Sequence, residues 1–553
     1  MSSSMQQRRH LVKATKQYGL HVQPAALQLM LQYANENFEG LTPLLECLQE
    51  KLARTNPKII TPQLWEEAIQ DVTTTTTAAA ASTTTLSEKP TLATNAKATT
   101  TAKKMIAMPR SKGKQGDWLV VDAFATPTLL FDSLRQQFHY AKNEVRPSLF
   151  GTVEDKIEMM AQRFLRVQQR VARSVSFLTS VDRLLGSNAS STQTLLGLLH
   201  ATTSALARRE DGVKSTGFEL EDLTGSIPLQ LHSSTYLDSN AVYTEGCIVL
   251  VEGYYDDGIF VVNELKLPPI EPKAKTQLFL PPPPMGFTTA HTTNALPLTL
   301  FTMTNVALDD PLVLQNLEAL VTNLASDEAN TDNVVLVLMG NFSTSSLTLP
   351  LAMEELSRIL EPLPYNHSVL ILPGPSDTPS MCWPIPPIKA PPSFANHLQA
   401  TVQFVSNPCR LVYGDQQEIL LYRQDLIRQH LQHEILSVRH GSKHPLTDRI
   451  FHSILAQGHL LPQAPIYWNY DYAMGVYPLP ELLLLGLEEG EEKQKLYGQA
   501  DCHVVTPGCH GKWAKVILYP QHKRRGGPRR PLHVEFSQTD GNESDHDSIE
   551  DDS

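Results

Sequence analysis

The chain has 553 residues, of which 41% are apolar and 19% charged, with 39 prolines and a formal net charge of −12. That length predicts roughly three to four domains with sizeable cores, and the negative balance excludes binding of a polyanion through bulk charge alone. The six cysteines (47, 247, 382, 409, 502 and 509) make no secreted-type framework, "MSSSMQQRRHLVKATK" lacks a hydrophobic signal core, and no apolar run reaches about 18 residues, so a soluble intracellular chain is expected.

Residues 1–72 read as an N-terminal helical interaction domain. Leu27, Met30, Leu31 and Ala34 recur at helical spacing, as do Leu45, Leu48 and Leu52. Thr42-Pro43 and Thr61-Pro62 are cap-plus-first-turn signals. Residues 73–117 hold the run "TTTTTAAAASTTT", too poor in large apolar side chains to bury a core, and read as a flexible low-complexity linker. Residues 118–185 read as a helical connector. Its first helix is expected from Thr126-Pro127, with Leu130, Leu134 and Phe138 along one stripe. A second follows in "TVEDKIEMMAQRFLRVQQRVARSV", capped by Thr152 and Asp155 and burying Ile157, Met160, Phe164 and Val171. Arg163, Arg166, Arg170 and Arg173 read as its solvated face, with phosphate contact as the functional alternative.

Residues 186–285 switch to short alternating strands, with Tyr255-Asp256-Asp257-Gly258 as a hairpin signal, and predict a small OB-type β-barrel. Few basic residues line it, so a packing role is favoured over single-strand binding. Residues 286–520 alternate buried-strand runs such as "NVVLVLMGN" and "HSVLILPGP" with helical stretches, which predicts an α/β layered domain. Residues 521–553 pass from "HKRRGGPRR" to "DGNESDHDSIEDDS" and read as a disordered tail; Ser544 and Ser548, set among acids, are candidate kinase sites.

In an α/β domain ligands gather at the loops after the strand C-termini. Here those loops carry Thr304-Asn305-Val306-Ala307, Gly340-Asn341, Pro373-Gly374-Pro375-Ser376-Asp377, Ser406-Asn407-Pro408-Cys409 and Gly458-His459-Leu460-Leu461. The series resembles the calcineurin-like phosphoesterase pattern, which implies two divalent metals held by carboxylates and imidazoles. At the positions that matter this chain has Asn305, Ala307, Asn341, Pro375, Ser376, His459 and Leu461, which implies an inactive member of that fold with no cofactor and no metal site. Asp309, Asp310 and Asp377 read as turn formers. Cys502-His503 and Cys509-His510 invite a zinc reading, but their spacing fits no common zinc module, and adjacent side chains of a strand face opposite ways. Cys409 lacks an evident base.

The segments "LEDLTGSIPL", "YTEGCIVLVEGYYDDGIFVVNELKLPP", "LMGNFS", "LPGPSD" and "SNPCRL" resemble, in order, those of the B-subunit family of replicative DNA polymerases. "ILAQGHLLP" and "PIYWNYDYAMGVYPLPELLLL", with the helical module at 5–72, point to the DNA polymerase epsilon branch. That resemblance implies a multidomain α+β fold and a nuclear, non-catalytic accessory subunit of the DNA polymerase epsilon complex. It would hold the C-terminal module of the catalytic subunit, dock on GINS and the replicative helicase through residues 1–72, and meet DNA as part of the holoenzyme. Tyr467, Trp468, Tyr470 and Tyr472, the densest aromatic group, are candidate interface anchors, about half of them expected in the core. Two other readings stay open: an active metal-dependent phosphodiesterase or nuclease, and the B-subunit role in polymerase alpha or delta.

Overall fold

The computed structural model describes residues 118–141, 151–186, 191–202, 217–284, 296–326, 333–345, 348–378, 383–391, 394, 398–414, 417–438, 443–461, 468–488, 494–519 and 532–537, with scattered residues between 21 and 64. The chain divides into two units, Met1–Lys103 and Lys104–Ser553. In the first, His21–Val22 pairs in parallel with Ile59–Ile60. Most of the helical reading of 1–72, and all of the 73–117 linker, lie outside the described residues.

The second unit is built around two six-stranded sheets. In the first, Thr401–Phe404, Ser368–Leu372, Val334–Met339 and Leu298–Met303 run parallel, and Trp513–Leu518 and Leu532–Phe536 add antiparallel strands beyond them. The second runs Lys495–Gln499, Cys502–Thr506, Leu482–Gly486, Gln417–Arg423, Cys409–Tyr413 and Trp118–Asp122. The sheets share a core in which Leu300, Val337 and Leu370 meet Leu411, Leu421 and Leu484. Helices cover the outer faces, Pro311–Ser326 and Leu349–Leu360 on the first sheet and Leu446–Gln457 on the second. Strands buried on both faces read as continuous apolar runs, which is why "VVLVLM" and "SVLIL" are apolar throughout.

Five strands between Gln193 and Lys266 close the expected barrel, in the order Ile248–Asp256, Ile259–Lys266, Ser226–Leu237, Gly217–Glu221, Gln193–Thr202. The hairpin forms where the sequence placed it: Asp256 pairs with Ile259, and Asp257 and Gly258 both take positive φ (40° and 87°), as a two-residue turn between right-twisted strands requires. Helix Leu446–Gln457 seats the barrel on the sheets. The Gln457 side-chain amide brackets Ile248, accepting from its N–H at 2.9 Å and donating to its carbonyl at 2.8 Å.

Three expectations are corrected. Residues 129–140 form a hairpin, Leu129–Asp132 against Gln137–Tyr140, rather than a helix. Leu129, Phe131 and Phe138 pack on Tyr477, the Gln162 side chain donates to and accepts from the Phe131 backbone, and Leu134, on the supposed stripe, is 95% exposed at the turn. The connector therefore opens on a sheet strand and a hairpin, and Val153–Val171 is its one described α-helix. That helix has the expected capping box, Thr152 with Asp155, but Ile157 is 64% exposed and Val167 and Arg170 are buried instead. In the tail read as disordered, Leu532–Phe536 completes the first sheet; Ser544 and Ser548 lie outside the described residues.

Candidate functional site

The parallel strands of both sheets end in one cradle of loops, and a cation sits in it. Strand Gln417–Arg423 finishes on Arg423, whose side chain is fully buried. Its Nε donates to the Gly340 carbonyl at 2.6 Å, Nη2 to Asn305 Oδ1 at 3.2 Å and Nη1 to the Gly486 carbonyl at 3.4 Å, with Glu488 Oε1 3.7 Å away. One guanidinium thus ties together four strand-end loops. Asn407 locks the backbone behind it: its amide donates to the Pro373 and Arg423 carbonyls at 2.9 and 2.8 Å and accepts from the Arg423 N–H at 3.1 Å.

Asn341 completes the cradle, accepting from the Ser376 N–H at 2.9 Å and donating to Glu488 at 3.4 Å. Asp377 pins the turn below. Its carboxylate accepts from the Phe342 N–H at 2.7 Å and the Gly374 N–H at 2.8 Å. Burial pushes this carboxyl up to about 6, outweighing those N–H groups and the nearby Arg423. The approach is so close that a Cβ on Gly340 would lie 1.8 Å from Asp377 Oδ2.

Arg423 reaches Asn305 and Asn341 accepts from the Ser376 backbone, while Ala307 and Pro375 bring no donor atom in their side chains. His459 and Leu461 belong to a different network. Leu461 N–H donates to His459 Nδ1 at 3.1 Å, which leaves the proton on Nε2, and Nε2 donates to Asp471 Oδ1 at 3.1 Å. Burial, with Arg163 beside it, keeps this imidazole below its ordinary pKa and neutral. The donor set of the cradle does not suit a pair of divalent cations. Its amide oxygens are spent on N–H donors, and the centre already holds a positive charge. Among the described residues no group of three or more His, Cys, Asp or Glu side chains is placed to hold a metal ion. Cys502 lies in the core of the second sheet, its thiol pushed up to about 12 by burial, and Cys509 points at the Leu487 carbonyl at 3.6 Å. Burial likewise raises the Cys409 thiol well above its ordinary value.

Arg163, Arg166 and Arg170 of helix Val153–Val171, and Arg173 just past its end, do not form a solvated face. Arg163 makes a bidentate pair with buried Asp471, with Nε 3.0 Å from both carboxylate oxygens. Arg170 donates to the Ala456 carbonyl, and Arg173 bonds Glu271 at 2.9 and 2.5 Å. Burial opposes the Asp471 charge, yet Arg163 and His459 together hold that carboxyl well below the usual carboxylate range. On its other side the helix packs Phe164, Val167 and Val171 against Leu196, Ile248 and Leu250 of the barrel, so it wedges between barrel and sheets. The aromatic group serves this same junction. Tyr470 is buried edge-to-face on Phe124 at 4.9 Å, Trp468 is half-buried under Lys156, and Tyr472 is half-buried; Tyr467 lies outside the described residues. Sequence reasoning missed Arg423, Glu271 and Asp471. The available signal was a charge closing the otherwise apolar run "ILLYR" at a strand end.

The sequence carries two family signatures. Residues 301–493 match the DNA polymerase alpha/epsilon B-subunit family, and residues 153–269 match the OB-fold domain of proteins like the second subunit of DNA polymerase epsilon. The chain is 28% identical to Homo sapiens DNA polymerase epsilon subunit 2 over 451 residues, covering 73% of this chain and 82% of the relative. It is 27% identical to the B subunit of Arabidopsis thaliana DNA polymerase epsilon, covering 72% and 80%, and 28% identical to its Schizosaccharomyces pombe counterpart, covering 72% and 74%.

Proposed function

The chain belongs to the DNA polymerase epsilon B-subunit family, and we propose that it works there as a non-catalytic scaffold, its stacked sheets an inactive phosphoesterase-like frame. The observation that carries this reading is Arg423: a guanidinium bridges the strand ends where a metallohydrolase would gather carboxylates. A frame that closes its own strand-end cradle keeps its surfaces for other proteins. We divide it as residues 118–185 for the connecting arm, 186–285 for the barrel and 286–520 for the frame. The barrel and frame hold the catalytic subunit of the polymerase, and residues 1–72, beyond the 73–117 linker, engage GINS and the helicase, with DNA met through the assembled holoenzyme. Nuclear residence follows from that assembly; among the described residues no helix is long and apolar enough to cross a membrane.

Affinity purification from nuclear extract tests the scaffold. The largest bound chain is expected to be the catalytic subunit of polymerase epsilon, and recovery of its alpha or delta counterpart instead would reassign the branch. A chain lacking residues 1–72 is expected to keep the catalytic subunit and lose the helicase. Manganese-dependent hydrolysis of bis-p-nitrophenyl phosphate that disappears in Asn341→Ala would restore the enzyme reading.

A further inference from the structure

Helix Val153–Val171, the barrel strand at Ile248 and the loop at Gly458 line a small cleft with a cavity volume of about 30 Å³. Arg163, Arg166 and Arg170 all line it. The charges around it do not balance. Gln457, Gly458, His459, whose Nδ1 accepts the Leu461 N–H, and Tyr477, whose ring lies 5.8 Å from the Arg170 guanidinium, line it opposite the helix, with Asp471 behind them engaged by Arg163 in a bidentate pair; from the barrel come Leu198, Gly246 and Ile248. Glu271, the next carboxylate, is taken by Arg173.

Asp471 is thus the one carboxylate that Arg163 and Arg166 share, and Arg170 has none within ion-pair distance. Arg166 donates its Nε to the Gln162 carbonyl at 3.0 Å, and its Nη2 lies 3.9 Å from Asp471, beyond hydrogen-bond distance. Arg170 has the Ala456 carbonyl on Nη2, while its buried Nε has no partner. Arg170 is 1% exposed, and burying a guanidinium without a counter-charge is costly.

We propose that this cleft is a binding site for a small tetrahedral oxyanion, inorganic phosphate being the probe of choice, held by Arg166 and Arg170 at the junction of arm helix, barrel and sheets. Planar guanidinium forks match phosphate oxygens in pairs. A cavity of about 30 Å³ holds about two waters, the room of one small ion and far less than a nucleotide needs. Burial draws Arg170 down to about 10, which still leaves it charged at neutral pH. Filled, the site cross-links the arm to the barrel at a point where three guanidinium groups face a single carboxylate.

The test is a phosphate titration of the full-length chain by thermal unfolding, with sodium chloride at matched ionic strength as the control. A saturable rise in melting temperature specific to phosphate is expected, with an apparent Kd at least tenfold weaker in Arg166→Gln and partly recovered in Arg166→Lys. No rise beyond the chloride control, or an equal rise in Arg166→Gln, which would mean an adventitious ion only, overturns the site. If Arg166→Gln does not fold, crystals of the natural chain soaked in tungstate decide: an anomalous peak within hydrogen-bond reach of Arg166 and Arg170 supports the site, and a cleft without one refutes it.

Discussion

Replacing Arg423 with methionine keeps most of the side-chain stem and removes the cation from the cradle. Three acceptors then lose their donor: the Gly340 carbonyl at 2.6 Å, Asn305 Oδ1 at 3.2 Å and the Gly486 carbonyl at 3.4 Å. A buried polar group left unpaired costs about 1–3 kcal/mol. The Gly486 bond is long and counts for little, and Asn305 is half-buried and can turn toward water. Removal of the guanidinium also relieves its own desolvation cost. The net expectation is a loss of about 2 kcal/mol. Urea denaturation of the purified chain, comparing midpoints at unchanged slope, reads this directly. A loss below about 1 kcal/mol would show that the cradle closes without its cation, and the scaffold reading would lose its main support. A second outcome would be as damaging: manganese ions that stabilise Arg423→Met but not the natural chain would reveal a metal site that the guanidinium only masks.

Other substitutions probe separate links. Arg163→Gln leaves Asp471 buried without its bidentate partner and should cost on the order of 3–5 kcal/mol; it should also raise the His459 pKa, because Arg163 is one cause of its depression. Histidine resonances followed by NMR titration check that shift, and an unmoved His459 would contradict the network. Asp377 gives a pH signature. Its folded-state pKa, about 6, lies above the ordinary 3.8, so its contribution is complete below about pH 4 and is lost as pH rises through about 6. Asparagine mimics the protonated form, so the cost of Asp377→Asn should shrink by up to about 3 kcal/mol between pH 4 and pH 7; a constant cost across that window would place the carboxyl in its ordinary range. Gly340→Ala forces a methyl to within 1.8 Å of Asp377 Oδ2 and should cost about 3 kcal/mol by the same denaturation assay; a tolerated alanine would mean the two loops are not locked together.

Features that are local or periodic could be read from the residues directly. The Thr152–Asp155 capping box, the Asp257-Gly258 turn and the all-apolar parallel strands depend on neighbours a few residues away, and each formed as expected. Asn305, Asn341 and Ser376 lie along one edge because parallel strands of one sheet deliver their C-terminal loops there. Long-range packing governed the rest. Residues 126–142 fit a helical stripe and a hairpin about equally well, and Tyr477 and Gln162, both distant in the chain, settled it by rewarding alternate residues. Three arginines on one helix, with Arg173 just past its end, look like a solvent face until Asp471, Glu271 and Ala456 arrive from elsewhere in the chain to meet them. Arg423 is the extreme case. A charge at a strand end has no fixed fate in the sequence, and only the approach of three other loops, each offering an acceptor, makes burying it tolerable.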